Sequence, residues 1–417
     1  MKTVSVGLLA GIVGCALVQP GSAAETGTYK EQILHSFAGG TDGAKPVAGL
    51  IDVHGVLYGT TGSGGTGCSG HGCGTMFAID PSTGTETVLY SFCSLQNCAD
   101  GSYPYAGLID VGGTLYGTTA GGGGTGCSGP GCGTVFSIDP GTGAETVLHS
   151  FNGGRDGSDP VAGLIDVKGK LYGTTVFGGG RGCYEPGCGT VFMVDRKSGA
   201  EKVLYSFCSQ KHCADGSEPN GGLIAVGGLF YGTTSEGGAS GAGTVFSIDP
   251  NTRAETVLYS FCSQQSCPDG SSPDAGLIDV NGLLYGTTEL GGDGSGTVFS
   301  IDPTTGAETV LHSFDGSADG SNPFAGLIDV NGVLYGTTAE GGTSFRDSNG
   351  GTVFSVNPTT GAETVLYSFC AGHRTCPGDG THPFAGLIDI HGGLYGTTQA
   401  GGADGYGTVF ELKEKRR

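Results

Sequence analysis

The sequence contains no tryptophan, and only 18 lysine and arginine residues stand against 39 acidic ones. This shortage of basic residues argues against nucleic acid and anionic lipid as partners. After residue 18 no apolar run is long enough to span a membrane, so the mature chain is expected to lack a transmembrane segment. The missing tryptophan weakens a lectin function without excluding it. An apolar period typical of helices is also missing, which favours an all-β fold.

The first residues predict an export signal. Lys2 precedes an apolar run that is followed by small residues suited to cleavage. We therefore expect a signal peptide at 1–24 and a secreted protein, extracellular or periplasmic, whose net charge moves from −21 to −22 when Lys2 is removed. The alternative is lipid anchoring through Cys15, because residues 12–15 resemble a bacterial lipobox.

Apart from Cys15, the cysteines occur as close pairs that are present or absent as a unit. Because the pair Cys262 and Cys267 has no cysteine in its neighbouring loops, a local disulfide is predicted within each pair. Zinc is the competing interpretation, but C-x4-C departs from the usual C-x2-C spacing and would need ligands from several loops. The predicted pairs are Cys68 with Cys73, Cys93 with Cys98, Cys127 with Cys132, Cys183 with Cys188, Cys208 with Cys213, Cys262 with Cys267 and Cys370 with Cys376.

A repeat dominates the rest of the chain. Each copy contains four runs rich in Val, Ile, Leu, Tyr, Phe and Thr, separated by glycine turns, Asp-Pro or Asn-Gly, and each run is typical of a strand. Residues 31–37 match the repeat ending that the last copy lacks. The copies therefore predict one domain over 25–417, an all-β seven-bladed β-propeller of four-stranded antiparallel blades, in which residues 31–37 complete the last blade. An open solenoid, the alternative, gives the split copy no purpose. The anchors of the copies begin at Ala48, Ala106, Ala162, Gly221, Ala275, Ala325 and Ala385.

The predicted strand order sorts the loops onto two faces of the ring. The connections between strands one and two and between strands three and four are short and nearly the same in every copy. The connections from strand two to three, and from one blade to the next, vary in length and carry all the paired cysteines. We name their side the variable face and expect a binding site there, because variable loops on a rigid scaffold commonly build such sites.

The motifs YGTT, GG, GTVF and TGAETVLYSF are together similar to the GloVer tandem-repeat family of exported bacterial proteins, whose members end in differing surface anchors. The resemblance covers essentially the whole mature chain. It implies the architecture and an exported location, and it brings no activity with it. Two departures are visible: the chain shows no C-terminal anchor, and the fourth copy, at Gly221–Ala225, lacks the usual Ala and Asp.

A DGxxP motif precedes every blade, and its aspartates are expected to surround the central opening. Calcium favours oxygen ligands of this kind. However, Asp-Gly is also an ordinary turn dipeptide, and its presence in all seven blades favours a structural role. No other cofactor is predicted. The aspartates are Asp42, Asp100, Asp156, Asp215, Asp269, Asp319 and Asp379.

Residues that break the seven-fold symmetry are the better binding candidates. Aromatic and arginine side chains often anchor recognition. By contrast, the threonines of YGTT and the outer-strand histidines, which replace tyrosine in some copies, are expected to be structural. The candidates on the variable face are Tyr103, Tyr105, Arg155, Phe177, Arg181, Tyr184, His212, Phe345, Arg346, His373, His382 and Tyr406.

The favoured hypothesis is an exported, monomeric binding or scaffold propeller that recognises a glycan or a surface protein through the variable face. A hydrolase or lyase acting on an extracellular polysaccharide or a small molecule is the first alternative. It requires a blade-specific acid/base pair, and no motif identifies one, so no catalytic residue is assigned. A purely structural envelope component is the second alternative.

Overall fold

The structure is a computed structural model, and it describes residues 29–68, 72–124, 127, 131–180, 187–343, 350–371, 376 and 378–415. The predicted export signal and the lipobox cysteine lie outside these ranges. The same is true of the binding candidates Arg181, Tyr184, Phe345, Arg346 and His373.

Runs of β-branched and aromatic residues form seven four-stranded antiparallel sheets, which we number as blades 1 to 7. The strands are given from innermost to outermost. Blade 1 comprises Ile51–Val53, Val56–Thr61, Thr75–Asp80 and Thr85–Ser91. Blade 2 comprises Ile109–Val111, Thr114–Thr119, Thr134–Ile138 and Glu145–Ser150. Blade 3 comprises Ile165–Val167, Lys170–Thr175, Thr190–Asp195 and Glu201–Ser206.

The remaining blades follow the same order. Blade 4 comprises Ile224–Val226, Leu229–Thr234, Thr244–Ile248 and Glu255–Ser260. Blade 5 comprises Ile278–Val280, Leu283–Thr288, Thr297–Ile301 and Glu308–Ser313. Blade 6 comprises Ile328–Val330, Val333–Thr338, Thr352–Val356 and Glu363–Ser368. Blade 7 comprises Ile388–Ile390, Gly393–Thr398, Thr408–Glu414 and Tyr29–Ser36.

The smaller elements lie in the loops. A two-stranded ribbon joins Gly380–Thr381 to Ala400–Gly401. Two short 3-10 turns cover Gln96–Cys98 and Lys211–Cys213. Within the described residues no helix is long and apolar enough to cross a membrane.

The N-terminal strand closes the ring, as the split repeat predicts. Tyr29–Ser36 pairs antiparallel with Thr408–Glu414 and becomes the outermost strand of blade 7. Every blade is therefore complete, and the seven-bladed propeller is confirmed. The first and last strands of the described chain meet inside one sheet, so a ladder of backbone hydrogen bonds holds them together.

The core lies between neighbouring blades, and we call each of these contacts a seam. In every seam a phenylalanine that follows the outermost strand packs against a phenylalanine in the third strand of the next blade, with ring centroids 5.0–5.2 Å apart. These pairs are Phe37–Phe77, Phe92–Phe136, Phe151–Phe192, Phe207–Phe246, Phe261–Phe299, Phe314–Phe354 and Phe369–Phe410.

The YGTT motif serves the seams and the sheets. Its first threonine donates a hydrogen bond to the anchor carbonyl of the next blade at 2.8–3.4 Å, and Thr397 does so to Ala48 across the seam between blades 7 and 1. Its second threonine bonds to the first threonine of the third strand, as Thr398 does to Thr408 at 2.8 Å. Its glycine leaves room for a ring, because a Cβ at Gly396 would lie 2.6 Å from Phe410 Cζ.

Candidate functional site

Disulfides fix the loops of the variable face, as the paired cysteines predict. Among the described residues six local disulfides are present, with Cα atoms 3.9–5.6 Å apart, and they join neighbours separated by five or six positions. Such bonds are typical of an oxidising compartment and are consistent with an extracellular location. The bonds join Cys68 to Cys73, Cys93 to Cys98, Cys127 to Cys132, Cys208 to Cys213, Cys262 to Cys267 and Cys370 to Cys376.

Local pairing is therefore confirmed for these six pairs, and the competing zinc interpretation is wrong for the oxidised chain. Cys132 is fully buried, whereas its partner Cys127 and also Cys376 are half-buried. The seventh predicted pair, Cys183 with Cys188, stays a prediction because Cys183 lies outside the described residues.

The aspartates of the DGxxP motif anchor the loops that leave each blade. Asp100 is fully buried and accepts hydrogen bonds from the Tyr90 hydroxyl and from the backbone and hydroxyl of Ser94, each at 2.8 Å, and from the Leu95 amide at 3.2 Å. Since Tyr90 lies on the outermost strand, this carboxylate sits near the rim of the blade. The expected ring of carboxylates around the central opening is therefore not formed, because each loop folds back onto its own outer strand.

Histidine and tyrosine occupy one structural position beside these aspartates. His312 Nε2 lies 3.3 Å from the Asp319 carboxylate, and Tyr205 donates to Asp215 at 2.8 Å. The histidines therefore replace tyrosine as partners of a loop-anchoring carboxylate. His35 and His149 make the corresponding, longer contacts of 3.6 and 3.8 Å with Asp42 and Asp156.

A glutamate from the next blade faces each of these aspartates across the seam. The Tyr205 hydroxyl lies 2.8 Å from Asp215 and 3.4 Å from Glu255 of blade 4, so it bridges the two carboxyl groups. Burial, and then the charge of Asp215, raise the pKa of Glu255 to about 7. The same two causes raise the pKa of the equivalent glutamates to about 7 in four other seams, at Glu86, Glu145, Glu308 and Glu363.

These carboxyl groups do not assemble into a multidentate cation site. Among the described residues, groups of three or more possible metal ligands within 4.8 Å of one another consist of cysteines only. Calcium binding by the seven aspartates stays a prediction, and each seam would offer it two carboxylates at most.

Three positions per blade form what we call the mouth, beside the entrance to the central opening. They are the residues before and after the proline of DGxxP and the residue that follows YGTT. The residue before the proline has a left-handed backbone with φ of 54–59° in every blade. Backbone hydrogen bonds hold it there, because Tyr103 N donates to Cys73 O at 2.8 Å and Tyr103 O accepts from Ala120 N at 3.0 Å.

The backbone of the mouth is repeated, but its side chains differ from blade to blade. Before the proline stand Lys45, Tyr103, Asp159, Glu218, Ser272, Asn322 and His382. After it stand Val47, Tyr105, Val161, Asn220, Asp274, Phe324 and Phe384. After YGTT stand Gly62, Ala120, Val176, Ser235, Glu289, Ala339 and Gln399.

An aromatic cavity of about 510 Å³ occupies the mouth at blades 7, 1 and 2. Tyr103 and Tyr105 stack with centroids 6.1 Å apart, and Tyr105 is 41% exposed. Phe384 forms the opposite wall and packs against Phe324 at 5.1 Å and His382 at 6.3 Å. Besides the two tyrosine hydroxyls, Lys45, Ser63 and Gln399 supply polar side-chain groups to the lining.

An acidic cluster occupies the mouth at blades 4 and 5. The Asn220 side-chain amide donates to Asp274 at 2.7 Å and to the Ser235 hydroxyl at 3.0 Å. Asp274 is also hydrogen-bonded to Glu289. Burial first, and then this bond and the charge of Asp274, raise the pKa of Glu289 to about 7. The pair therefore keeps one proton to a higher pH than two separate carboxyl groups would.

The structure brings together only some of the binding candidates chosen from the sequence. Tyr103 and Tyr105 line the aromatic cavity, and His382 stacks on its wall. Tyr406 is 44% exposed and packs its ring over Gly39. The candidates that lie elsewhere on the variable loops of the described chain, and do not line the cavity, are Arg155, Phe177, His212 and Tyr406.

Sequence reasoning missed Phe384, Phe324, Asn220, Asp274 and Glu289. Their signal is variation within the repeat: each stands next to an invariant proline or YGTT motif, at a position whose residue varies among the copies. The search for aromatic and arginine residues selected Tyr103, Tyr105 and His382 at these positions, but it did not compare the same positions in the other copies.

The fold and the mouth define a tandem-repeat β-propeller with a blade-specific surface. The chain belongs to the Gloeobacter/Verrucomicrobia repeat family, whose model matches residues 22–130, 125–347 and 294–416. This confirms the resemblance to the GloVer repeats. No curated protein matches the sequence.

Solved structures share the fold at low sequence identity. The extracellular domain of a putative one-component system from B. thetaiotaomicron aligns with a TM-score of 0.55 at 11% identity, over 92% of this chain and 40% of that one. A putative 6-phosphogluconolactonase from Bacteroides uniformis aligns with a TM-score of 0.50 at 16% identity, over 82% of this chain and 89% of that one. At such identities these likenesses concern the fold alone.

Proposed function

We propose that this chain is an exported binding propeller that holds a carbohydrate in the aromatic cavity of its mouth. The observation that carries the proposal is the cavity itself, whose 510 Å³ falls within the usual range of small-ligand sites. The C–H face of a sugar ring is apolar, so it packs well on an exposed aromatic face such as that of Tyr105. Its hydroxyl groups need polar partners at the edge of the same site.

Those polar partners are present at the cavity. Gln399 can both donate and accept hydrogen bonds, and Ser63 adds a hydroxyl. Lys45 adds a positive charge to a chain whose net charge is −21. A sugar that carries a carboxylate or sulfate would gain from this lysine, so an acidic glycan is the preferred ligand class.

The shape of the site supports a glycan over a surface protein. Specific protein interfaces bury about 800 Å² on each partner and are not confined to one cleft. The described aromatic surface is concave and lies within three blades. A rigid, disulfide-fixed rim around a small cleft suits a glycan. Because the site is already ordered, little of the binding free energy is lost in ordering it.

The acid pair of the mouth does not favour the hydrolase alternative. Glycoside hydrolases hold their two carboxyl groups about 5 Å apart or further, so that a sugar or a water fits between them. Asp274 and Glu289 are instead bonded to each other. The pair therefore leaves no space for a sugar or a water between its two carboxyl groups.

A glycan array followed by titration calorimetry tests the proposal. Tyr105→Ala should weaken binding of the best glycan about tenfold or more, equal to about 1.4 kcal/mol, while Tyr105→Phe should keep most of the affinity because the ring remains. Tyr406→Ala is the matched control, since Tyr406 is similarly exposed at 44% but lies outside the cavity. No bound glycan, or equal losses in the two alanine variants, would contradict the proposal.

A further inference from the structure

Four cysteine sulfur atoms from two loops of blade 1 converge at one point on the variable face. The Sγ atoms of Cys68, Cys73, Cys93 and Cys98 all lie within 4.8 Å of one another. They belong to two separate local disulfides, Cys68–Cys73 and Cys93–Cys98. The sulfurs of a tetrahedral zinc site stand roughly 3.8 Å apart, given zinc–sulfur bonds of about 2.3 Å. Small side-chain rotations are therefore enough to convert the two disulfides, once reduced, into a tetrahedral set of four sulfur atoms.

The first loop is held against the second by close packing. A Cβ at Gly67, the residue before Cys68, would lie 1.9 Å from the carbonyl oxygen of Phe92 and 3.0 Å from that of Cys93. Only glycine allows this approach. The contact places Cys68 beside Cys93 whatever the oxidation state of the sulfur atoms.

The second loop is held by contacts that do not involve sulfur. Asp100 accepts four hydrogen bonds from Tyr90, Ser94 and Leu95, and Cys93 N donates to Gly101 O at 2.9 Å. Reduction of the disulfide leaves all these bonds in place. The two thiols of Cys93 and Cys98 therefore stay close, and little ordering is needed before a metal ion binds.

The cluster is also reachable and distinctive. Cys68 is exposed and Cys73 buried, while Cys93 and Cys98 are half-buried, so an ion can enter from one side. Blades 2, 4 and 6 each carry a single pair, which supplies two ligands only. Blade 3 repeats the arrangement with Cys188, Cys208 and Cys213 within the same distance.

We propose that blade 1 is a redox-gated site for a thiophilic divalent cation such as Zn²⁺, closed as two disulfides and open as four thiolates. Two molecules of a dithiol reductant open it: each passes two electrons and two protons to one disulfide and becomes a cyclic disulfide itself. The four thiols then lose four protons as the sulfurs bind Zn²⁺ as thiolates. In the reverse direction two molecules of that cyclic disulfide accept four electrons and four protons, so the protein disulfides re-form and release the ion.

Cadmium titration of the full chain tests this proposal, because cadmium thiolates absorb in the ultraviolet. The protein is reduced with a phosphine and titrated with Cd²⁺ in the presence of a competing chelator, so that sites with two thiols stay empty. The double variant Cys93→Ser/Cys98→Ser should bind one equivalent of Cd²⁺ less than the wild type. Cys262→Ser/Cys267→Ser, which removes an isolated pair from the equivalent loop of blade 4, should take up as much as the wild type.

Further measurements keep the test decisive. The oxidised wild type should show no charge-transfer band, and Zn²⁺ should raise the thermal midpoint of the reduced protein. If circular dichroism shows that Cys93→Ser/Cys98→Ser does not fold, Cys68→Ser/Cys73→Ser takes its place with the same expected loss. Equal uptake by the two double variants, or no band in the reduced wild type, overturns the proposal.

Discussion

The seams and the mouth are built from the same repeat, but the seam contacts are nearly the same in every blade whereas the mouth side chains differ from blade to blade. Each seam has one phenylalanine pair, one threonine-to-carbonyl hydrogen bond and one aspartate facing a glutamate, with little change around the ring. At the mouth the backbone is equally regular, but no two blades present the same three side chains. The repeated groups therefore hold the ring together, and the varied groups are free to recognise a ligand.

Deletion of residues 25–37 should have the largest effect, because it removes an element that every blade needs. It takes away the outermost strand Tyr29–Ser36 and one partner of the Phe37–Phe77 pair, and it leaves the edge of Thr408–Glu414 unpaired. We expect loss of cooperative thermal unfolding by circular dichroism and self-association in size-exclusion chromatography. Deletion of residues 25–28 alone, which keeps the strand, is the control and should leave both unchanged. An intact melting curve after the longer deletion would refute closure by this strand.

Stability should fall as pH rises through the range in which the seam glutamates titrate. Burial and a facing aspartate raise the pKa of Glu145 to about 7 from an ordinary value of 4.5. Between pH 4.5 and about 7 the folded chain holds a proton on Glu145 that the unfolded chain has lost. Each unit of pH increase in this range therefore lowers the free energy of unfolding. Five seams share this shift, and a sixth glutamate, Glu31, has its pKa raised to about 8.

The thermal midpoint should therefore be higher at pH 5 than at pH 8. Glu145→Gln, which is neutral at both, should raise the midpoint at pH 8 and change it little at pH 5. Asp80→Asn is the comparison variant. Asp80 is exposed, and hydrogen bonds from the following turn lower its pKa, so this variant should not reduce the fall in thermal midpoint between pH 5 and pH 8. A midpoint that rises from pH 5 to pH 8 would show that the seam glutamates are already ionised in the folded protein.

The ring and its disulfides could be predicted from the sequence because they depend on order along the chain. Residues 31–37 match the missing repeat ending, and the pairs such as Cys262 and Cys267 appear together. The position of Asp100 could not be predicted in this way, since the path of its loop back to Tyr90 depends on hydrogen bonds that no spacing records.

The mouth shows the same limit more clearly. Asn220 belongs to the copy before that of Asp274 and Glu289, and the packing of blade 4 against blade 5 brings it to them. Tyr105 was selected from the sequence, whereas Phe384, which follows the proline at the same position of its own copy, was not. Comparing the copies position by position would have found both.

The smallest predicted effect concerns single seam hydrogen bonds. Thr397 and Thr337 are each 1% exposed and donate to Ala48 at 3.2 Å and Ala385 at 3.1 Å. Valine has nearly the same shape and leaves the carbonyl unpaired, so either substitution should cost about 1–3 kcal/mol in urea unfolding. Serine keeps the hydroxyl and should cost less. Both seams also have a covalent connection between blades, because the N-terminal strand belongs to blade 7. The two valine variants should therefore be equally destabilised, and a much larger loss for Thr397→Val would show that the seam between blades 7 and 1 is weaker than the others.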